Sequence, residues 1–196
     1  MTSKPVEHHK VVLIGDSTVG KTQLITRLTK NRFDAQGRTQ GIEVSSKTVS
    51  VNKADVKVQI WDTCGQEQYR CVSAPYFRGA LGALAVFDLT SRKSLQSLQS
   101  WIEEVRSKAA PNVQIVLVGA KDDLQTERQV NPAEAQSFAA SEAVDYIETS
   151  ARTGHNVEAA FALVMRKVVA EGGLGRSLNS ISLSSVPNRP KLKCKC

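Results

Sequence analysis

Aromatic side chains are scarce, 5% of the chain, and none interrupts the basic C-terminal stretch. Without stacking platforms that stretch does not read as a binder of single-stranded nucleic acid. No apolar run approaches the roughly 20 residues that cross a bilayer. The opening MTSKPVEHHK has no apolar core, so a secretory leader is not expected and cytosolic residence is. Cysteine is limited to Cys64, Cys71, Cys194 and Cys196, which do not form a disulfide framework for that compartment. Acid is missing beyond Glu171, where Arg176, Arg189, Lys191, Lys193 and Lys195 stand uncompensated. The net charge of +7 suits an acidic partner. Its readable excess lies in the tail rather than the folded part, which argues against nucleic acid. What is present is ordinary for one globular domain with a tail: 196 residues, 41% hydrophobic and 23% charged.

Apolar patterning alternates between strand and helix. HKVVLIGD is a short run ending at Gly15 and suits a strand buried on both faces. GKTQLITRLTK spaces Leu24, Ile25 and Leu28 as a helix does. IEVSSKTVSV and VKVQIWD alternate about the turn signal NKAD and predict a hairpin. GALAVFDL, VQIVLVG and DYIETS are further strands. SLQSLQSWIEEVRSKA, NPAEAQSFAASEA and NVEAAFALVMRKVVAE are further helices, the second with Pro132 in its first turn. Six strands and the four helices named, five helices being expected in all, stand in mostly alternating order and predict an α/β sheet, mostly parallel, with helices on both faces. Ligands of such sheets bind at the carboxyl ends of the strands. From about Gly172 onward the periodicity fades into Gly, Ser and Pro, as in a flexible tail.

Two stretches carry phosphate chemistry. GDSTVGKT fits G-x-x-x-x-G-K-[ST] through Gly15, Gly20, Lys21 and Thr22, between a strand and a helix. Glycines let backbone N–H groups close around phosphate oxygens, Lys21 would neutralise the β- and γ-phosphates, and the Thr22 hydroxyl would bind Mg²⁺. WDTCGQE places Asp62 at a strand's carboxyl end, where a magnesium-side acid belongs. Gly65 would offer its N–H to the γ-phosphate and Gln66 would orient a water. Alone, DTCGQ also reads as a strand-to-turn connection; the P-loop upstream favours the nucleotide reading.

With these motifs, ETSAR, and the more specific KVQIWDT, YFRGA and AVFDLT, the chain resembles a small GTPase of the Ras superfamily, and within it a Rab, from about Lys10 to Lys167. The resemblance implies the P-loop small GTPase fold with residues 10–171 as the GTPase domain, 1–9 a flexible N-terminus and 172–196 a hypervariable tail. It implies a GTP/GDP switch in vesicle trafficking that hydrolyses GTP slowly by itself. Carried over, the nucleotide is held by Gly15, Asp16, Ser17, Thr18, Val19, Gly20, Lys21, Thr22 and Gln23, with Phe33 against the base and Thr39 of switch I on Mg²⁺ and the γ-phosphate. Lys121 would pack on the other face of guanine, Asp123 would accept from N1 and N2, and the Ala151 N–H, between Ser150 and Arg152, would donate to O6. Thr22, Thr39 and Asp62 are the implied metal residues, Lys21 and Gln66 the implied catalytic ones.

The departures from the family pattern carry their own expectations. Its base-reading Asn-Lys-x-Asp is Ala120-Lys121-Asp122-Asp123 here. The missing asparagine contacts guanine N7 and ties this loop to the P-loop. A lost hydrogen bond with a buried partner costs roughly 1–3 kcal/mol, or about 5- to 150-fold in affinity. Weaker retention and faster exchange follow. An alternative follows too: a fast-exchanging, mostly GTP-loaded binding module whose switching hydrolysis hardly gates. Switch I is one residue short between Phe33 and Thr39, with Gly37 adding mobility and Gln40 replacing isoleucine. Val44 replaces phenylalanine in the effector patch implied with Trp61 and Tyr76, which alters the partner set. Cys64 takes the place of a small alanine. His8, His9 and His155 read as surface histidines without evident partners.

The ending KCKC is not C-a-a-X. Cys194 and Cys196 resemble the double geranylgeranyl signal of Rabs, and two lipids anchor where one is marginal. Lys191, Lys193 and Lys195 would add attraction to anionic lipid. The expected protein is a monomer on the cytoplasmic face of an endomembrane, cycling with cytosol. Its implied partners are an activating protein, an exchange factor, a dissociation inhibitor and effectors, with no nucleic acid.

Overall fold

The computed structural model of the chain describes residues 8–34, 43–51, 54–62 and 74–172. Six strands form one sheet: β1 His8–Ile14, β2 Glu43–Val51, β3 Ala54–Asp62, β4 Gly82–Asp88, β5 Gln114–Ala120 and β6 Asp145–Thr149. Their order is β2-β3-β1-β4-β5-β6. Only β2 runs antiparallel, pairing with β3 from Glu43↔Asp62 to Val51↔Ala54. The other four pairings are parallel. The expected hairpin and parallel sheet are therefore present. Five α-helices lie among the described residues: α1 Lys21–Lys30, α2 Ala74–Phe77, α3 Arg92–Lys108, α4 Pro132–Ser141 and α5 Val157–Gly172.

Alternation along β1 explains the two-sided core. Val11 and Leu13 pack with Leu24 of α1 and Phe161 and Val164 of α5. Val12 and Ile14 point the other way, into a core with Trp101 and Ile102 of α3 and Ala135 of α4. β4 is buried along its whole length, as a central parallel strand must be. α1 and α5 thus cover one face and α3 and α4 the other, which is the predicted layering.

The boundaries differ in instructive ways. β3 begins at Ala54, because cross-strand pairing continues through two residues that composition assigns to a turn. α3 begins at Arg92, two residues ahead of its apolar pattern; Ser91 lies just outside it with extended backbone. α4 starts as expected, with Pro132 in its first turn and the Asn131 side chain accepting the Glu134 N–H. α2 is a single turn that buries Phe77, too short for helical periodicity to reveal. β5 extends to Ala120, so the first position of the expected base-reading motif is strand, not loop.

β1 sits between β3 and β4, and the loop after it opens at the carboxyl edge of the sheet. The ends of β3, β5 and β6 reach that same edge, because all three run parallel to β1 through the sheet.

Candidate functional site

The P-loop leaves β1 at Gly15, where φ is +129° and a Cβ would stand 2.1 Å from the Val86 carbonyl oxygen. Only glycine allows that approach to β4. Thr18 is left-handed at φ 69°, an uncommon conformation for a β-branched residue, of the kind that clusters at functional sites. Gly20, at φ +113°, precedes α1. Lys21 is buried, and its Nζ donates to the Gly15 and Asp16 carbonyls, both at 2.8 Å, which closes the loop on itself. Asp16 accepts from the Trp101 indole N–H at 2.9 Å, tying the loop to α3.

Thr22, in the first turn of α1, donates its hydroxyl to Asp62 Oδ2 at 2.6 Å. Asp62 ends β3 and is buried. A hydroxyl and a carboxylate beside a phosphate cradle are hard oxygen donors of the kind Mg²⁺ takes, with phosphate and water completing the shell. Among the described residues no group of three or more His, Cys, Asp or Glu could hold a metal. Thr22 and Asp62 supply two such oxygens, and that donor set fits magnesium.

The base end is assembled from β5, β6 and the loops after them. Asp123 accepts the Ser150 hydroxyl at 2.6 Å, and Ser150 Oγ accepts the Thr153 N–H at 3.0 Å. Lys121, left-handed at φ 67°, holds Asp88 Oδ2 through its ammonium at 2.5 Å. Asp88 is steadied in turn by the Thr90 N–H and hydroxyl, at 2.8 and 2.7 Å on Oδ1. Ala120 is 3% exposed, and a Cβ built on Gly20 would meet its methyl at 3.8 Å. The residue that replaces the asparagine thus has its methyl on the Gly20 side, where a methyl can make no hydrogen bond.

Three contributors escaped the sequence reading. Arg27 of α1 donates to the Ala151 and Arg152 carbonyls, both at 2.6 Å, and so fixes the loop after β6. Its signal was a lone arginine on a helix face, indistinguishable from a solvated one. Asp88 carried a faint signal, an acid two residues before a threonine at a strand end. His155 was expected to lack a partner; its Nδ1 meets Asp122 Oδ2. Beside them, Arg128 donates to Glu148 through both terminal nitrogens, at 3.0 and 2.5 Å. That hydrogen bonding, with the Tyr146 hydroxyl at 2.7 Å, holds the Glu148 carboxyl below the ordinary carboxylate range.

Gln23 accepts the Asp34 N–H at 3.1 Å, which secures the chain leaving α1, and Phe33 there is exposed. Val44 is 44% exposed and pairs across the strands with Trp61, so two of the three expected patch residues are adjacent. The Trp61 ring lies under Lys10, whose Nζ is 4.0 Å from its centroid, and its N–H donates to Gln59 at 3.2 Å. Tyr76 is half-buried on α2. Thr39, Gly65 and Gln66, with Gly37, Gln40 and Cys64 of the switch regions and Cys71, Cys194 and Cys196, lie outside the described residues. No described helix is long and apolar enough to cross a membrane.

Residues 10–170 match the Ras family. The chain is 46% identical over 160 residues to Ras-related protein RABA4d of Arabidopsis thaliana, covering 81% of this chain and 72% of that one. It is 43% identical over 160 residues to the Arabidopsis Ras-related protein RABA4b, covering 81% and 71%. To Ras-related protein YPTC6 of Chlamydomonas reinhardtii it is 40% identical over 197 residues, 98% of this chain and 88% of the relative.

Proposed function

The chain belongs to the Rab family of small GTPases, and from that premise we propose that it acts as a GTP/GDP switch in vesicle trafficking. The observation that carries the proposal is the pairing of two half-sites along one sheet edge. In this reading Lys21, Thr22 and Asp62 take the phosphates and their cation, and Asp123 with Ser150 takes guanine; the Lys21–Gly15, Thr22–Asp62 and Ser150–Asp123 hydrogen bonds support it. In this reading Asp123 accepts from guanine N1 and N2, the Ala151 N–H donates to O6, and Lys121 and Phe33 flank the ring.

Thr22 and Asp62, with Thr39, would hold magnesium, which when bound supplies positive charge beside the β- and γ-phosphates. Gln66 orients the water that attacks the γ-phosphorus; the bond to the β–γ bridging oxygen breaks, giving GDP and phosphate. Lys21 offsets the charge that spreads over the γ-oxygens. With no catalytic arginine evident in the chain, turnover is slow until an activating protein supplies one in trans. Val44, Trp61 and Tyr76 form the surface effectors read. Geranylgeranyl groups on Cys194 and Cys196 place the protein, as a monomer, on the cytoplasmic face of an endomembrane. An exchange factor and a dissociation inhibitor complete the cycle.

A second reading has its own observation. The Ala120 methyl at Gly20 gives no hydrogen bond between base loop and P-loop, which favours rapid exchange and a largely GTP-loaded binding module. One experiment tests both. Displacement of mant-GDP by GDP, GTP, ADP and ATP is measured with Mg²⁺, followed by single-turnover GTP hydrolysis for wild type and Gln66→Leu. Guanine-selective displacement with slow, Gln66-dependent hydrolysis is expected. Equal displacement by ATP would sink the guanine assignment. Release much faster than hydrolysis would favour the second reading.

A further inference from the structure

His155 sits in the loop between β6 and α5, and Asp122 in the loop after β5. Nothing in nucleotide binding as set out above uses either side chain, yet they meet, Nδ1 to Oδ2. The imidazole is mostly in solvent while the Asp122 carboxylate is largely covered. Around them the backbone is already stitched. Asp122 N–H donates to the Thr149 carbonyl at 3.1 Å, Ser150 N–H to the His155 carbonyl at 3.1 Å, and Gly154 N–H to the Ser150 carbonyl at 2.9 Å. Asp123, next along, is held by the Ser150 hydroxyl. The His155–Asp122 contact therefore closes a ring that runs from the first base-reading loop through Ser150 and back.

We propose that His155 is a positioning residue for the base site: through Asp122 it clamps the two base-reading loops together, where Ala120 leaves the first without a side-chain tether to the P-loop. The inference rests on the guanine reading of Asp123 and deepens it. The asparagine it offsets would have joined the first loop to the P-loop. The clamp joins the same loop to its other neighbour, so Asp123 keeps its place although the P-loop side is only packed.

Charge around His155 gives the clamp a signature. Asp122 is the carboxylate it touches. Glu148 of β6 is the next acid; it is matched by Arg128, and His155 adds a smaller attraction to it. Arg152 shares the His155 loop, and its carbonyl is drawn to Arg27 of α1. Asp123 is engaged by Ser150 and Lys121 by Asp88, so neither competes for the imidazole. A fixed cation in this place would give the Asp122 carboxylate an ion pair, so a lysine there should serve the same clamp.

The test is mant-GDP release from the full chain with Mg²⁺ for wild type, His155→Ala and His155→Lys, with melting temperatures alongside. His155→Ala is expected to release about two- to fivefold faster than wild type, the range of a partly exposed pair, with little change in melting temperature because its side chain faces solvent. His155→Lys, which keeps a donor for Asp122, should restore slow release. Identical rates for wild type and His155→Ala would overturn the clamp alone, as would failure of the lysine variant to rescue. Absence of mant-GDP binding would overturn the guanine reading, and the clamp with it.

Discussion

At the phosphate end of the site, almost everything lies within eight consecutive residues. Gly15 fits under β4, Lys21 ties back to Gly15 and Asp16, and Thr22 meets Asp62. At the proposed base end, the same job is shared among α1 and the segments after β4, β5 and β6. Asp88, Asp122, Asp123, Ser150, His155 and Arg27 come from segments separated by up to 128 residues of chain and are tied by side-chain contacts, two of them from Arg27. The P-loop keeps its motif unaltered; the base end departs from its motif at Ala120, and its described residues are still tied together. A short loop that closes on itself has no spare member. A distributed one can lose a bond and keep its shape, because other contacts constrain the same backbone.

The largest effect should come from breaking the compact end. Gly15→Ala would drive a Cβ into the Val86 carbonyl at a backbone angle alanine rarely adopts. A loss of about 4 kcal/mol or more is expected, read by urea unfolding, together with loss of mant-GDP binding. Stability near wild type would show that the P-loop can move off β4, and the contrast between the two ends would fall.

Next comes restoring the distributed end. Ala120→Asn puts a donor and acceptor where a methyl now faces Gly20. Release of mant-GDP should slow by about 5- to 150-fold, the worth of roughly 1–3 kcal/mol. Unchanged release would mean that the remaining contacts already do all the asparagine could.

A smaller effect, and a test of position along the same strand, concerns Glu148. Its folded carboxyl is held below the ordinary range, first by Arg128. A depressed carboxylate adds stability above its unfolded pKa of about 4.3, and that stability is lost as pH falls through the folded value. Glu148→Gln should therefore cost roughly 1–2 kcal/mol at pH 7, the worth of a charged hydrogen bond discounted for solvent screening, with the gap to wild type closing below about pH 4. Chemical unfolding at both pH values checks it. A gap that persists in acid would mean packing, not charge, sets the contribution.

These contrasts track what was legible in the chain. The P-loop was, because its function demands residue types at fixed spacing within one turn. The sheet was, because β1, β4 and β5 must be apolar on both faces. Asp123 and Ser150 were found through a resemblance, and their mutual hydrogen bond was not. Arg27 and His155 were missed because each acts across 33 to 125 residues of chain, and nothing local marks an arginine or a histidine that finds such a partner; Asp88 had only the faint signal of Thr90 beside it. The one-turn helix α2 was too short for a period. β3 overran its turn signal because pairing with β2 outweighed composition.

The smallest expected effect is the sharpest on the comparison. Trp101 gives Asp16 a hydrogen bond from α3, the main described link from the P-loop to a helix other than its own. If the phosphate end is self-contained, Trp101→Phe should cost about 1 kcal/mol of global stability and leave mant-GDP release within about twofold. The lysine and glycine contacts would still set the loop. If release accelerates tenfold while unfolding barely shifts, the P-loop depends on α3 as the base loops depend on their neighbours. Self-containment would then be a property of the motif's spelling rather than of its mechanics.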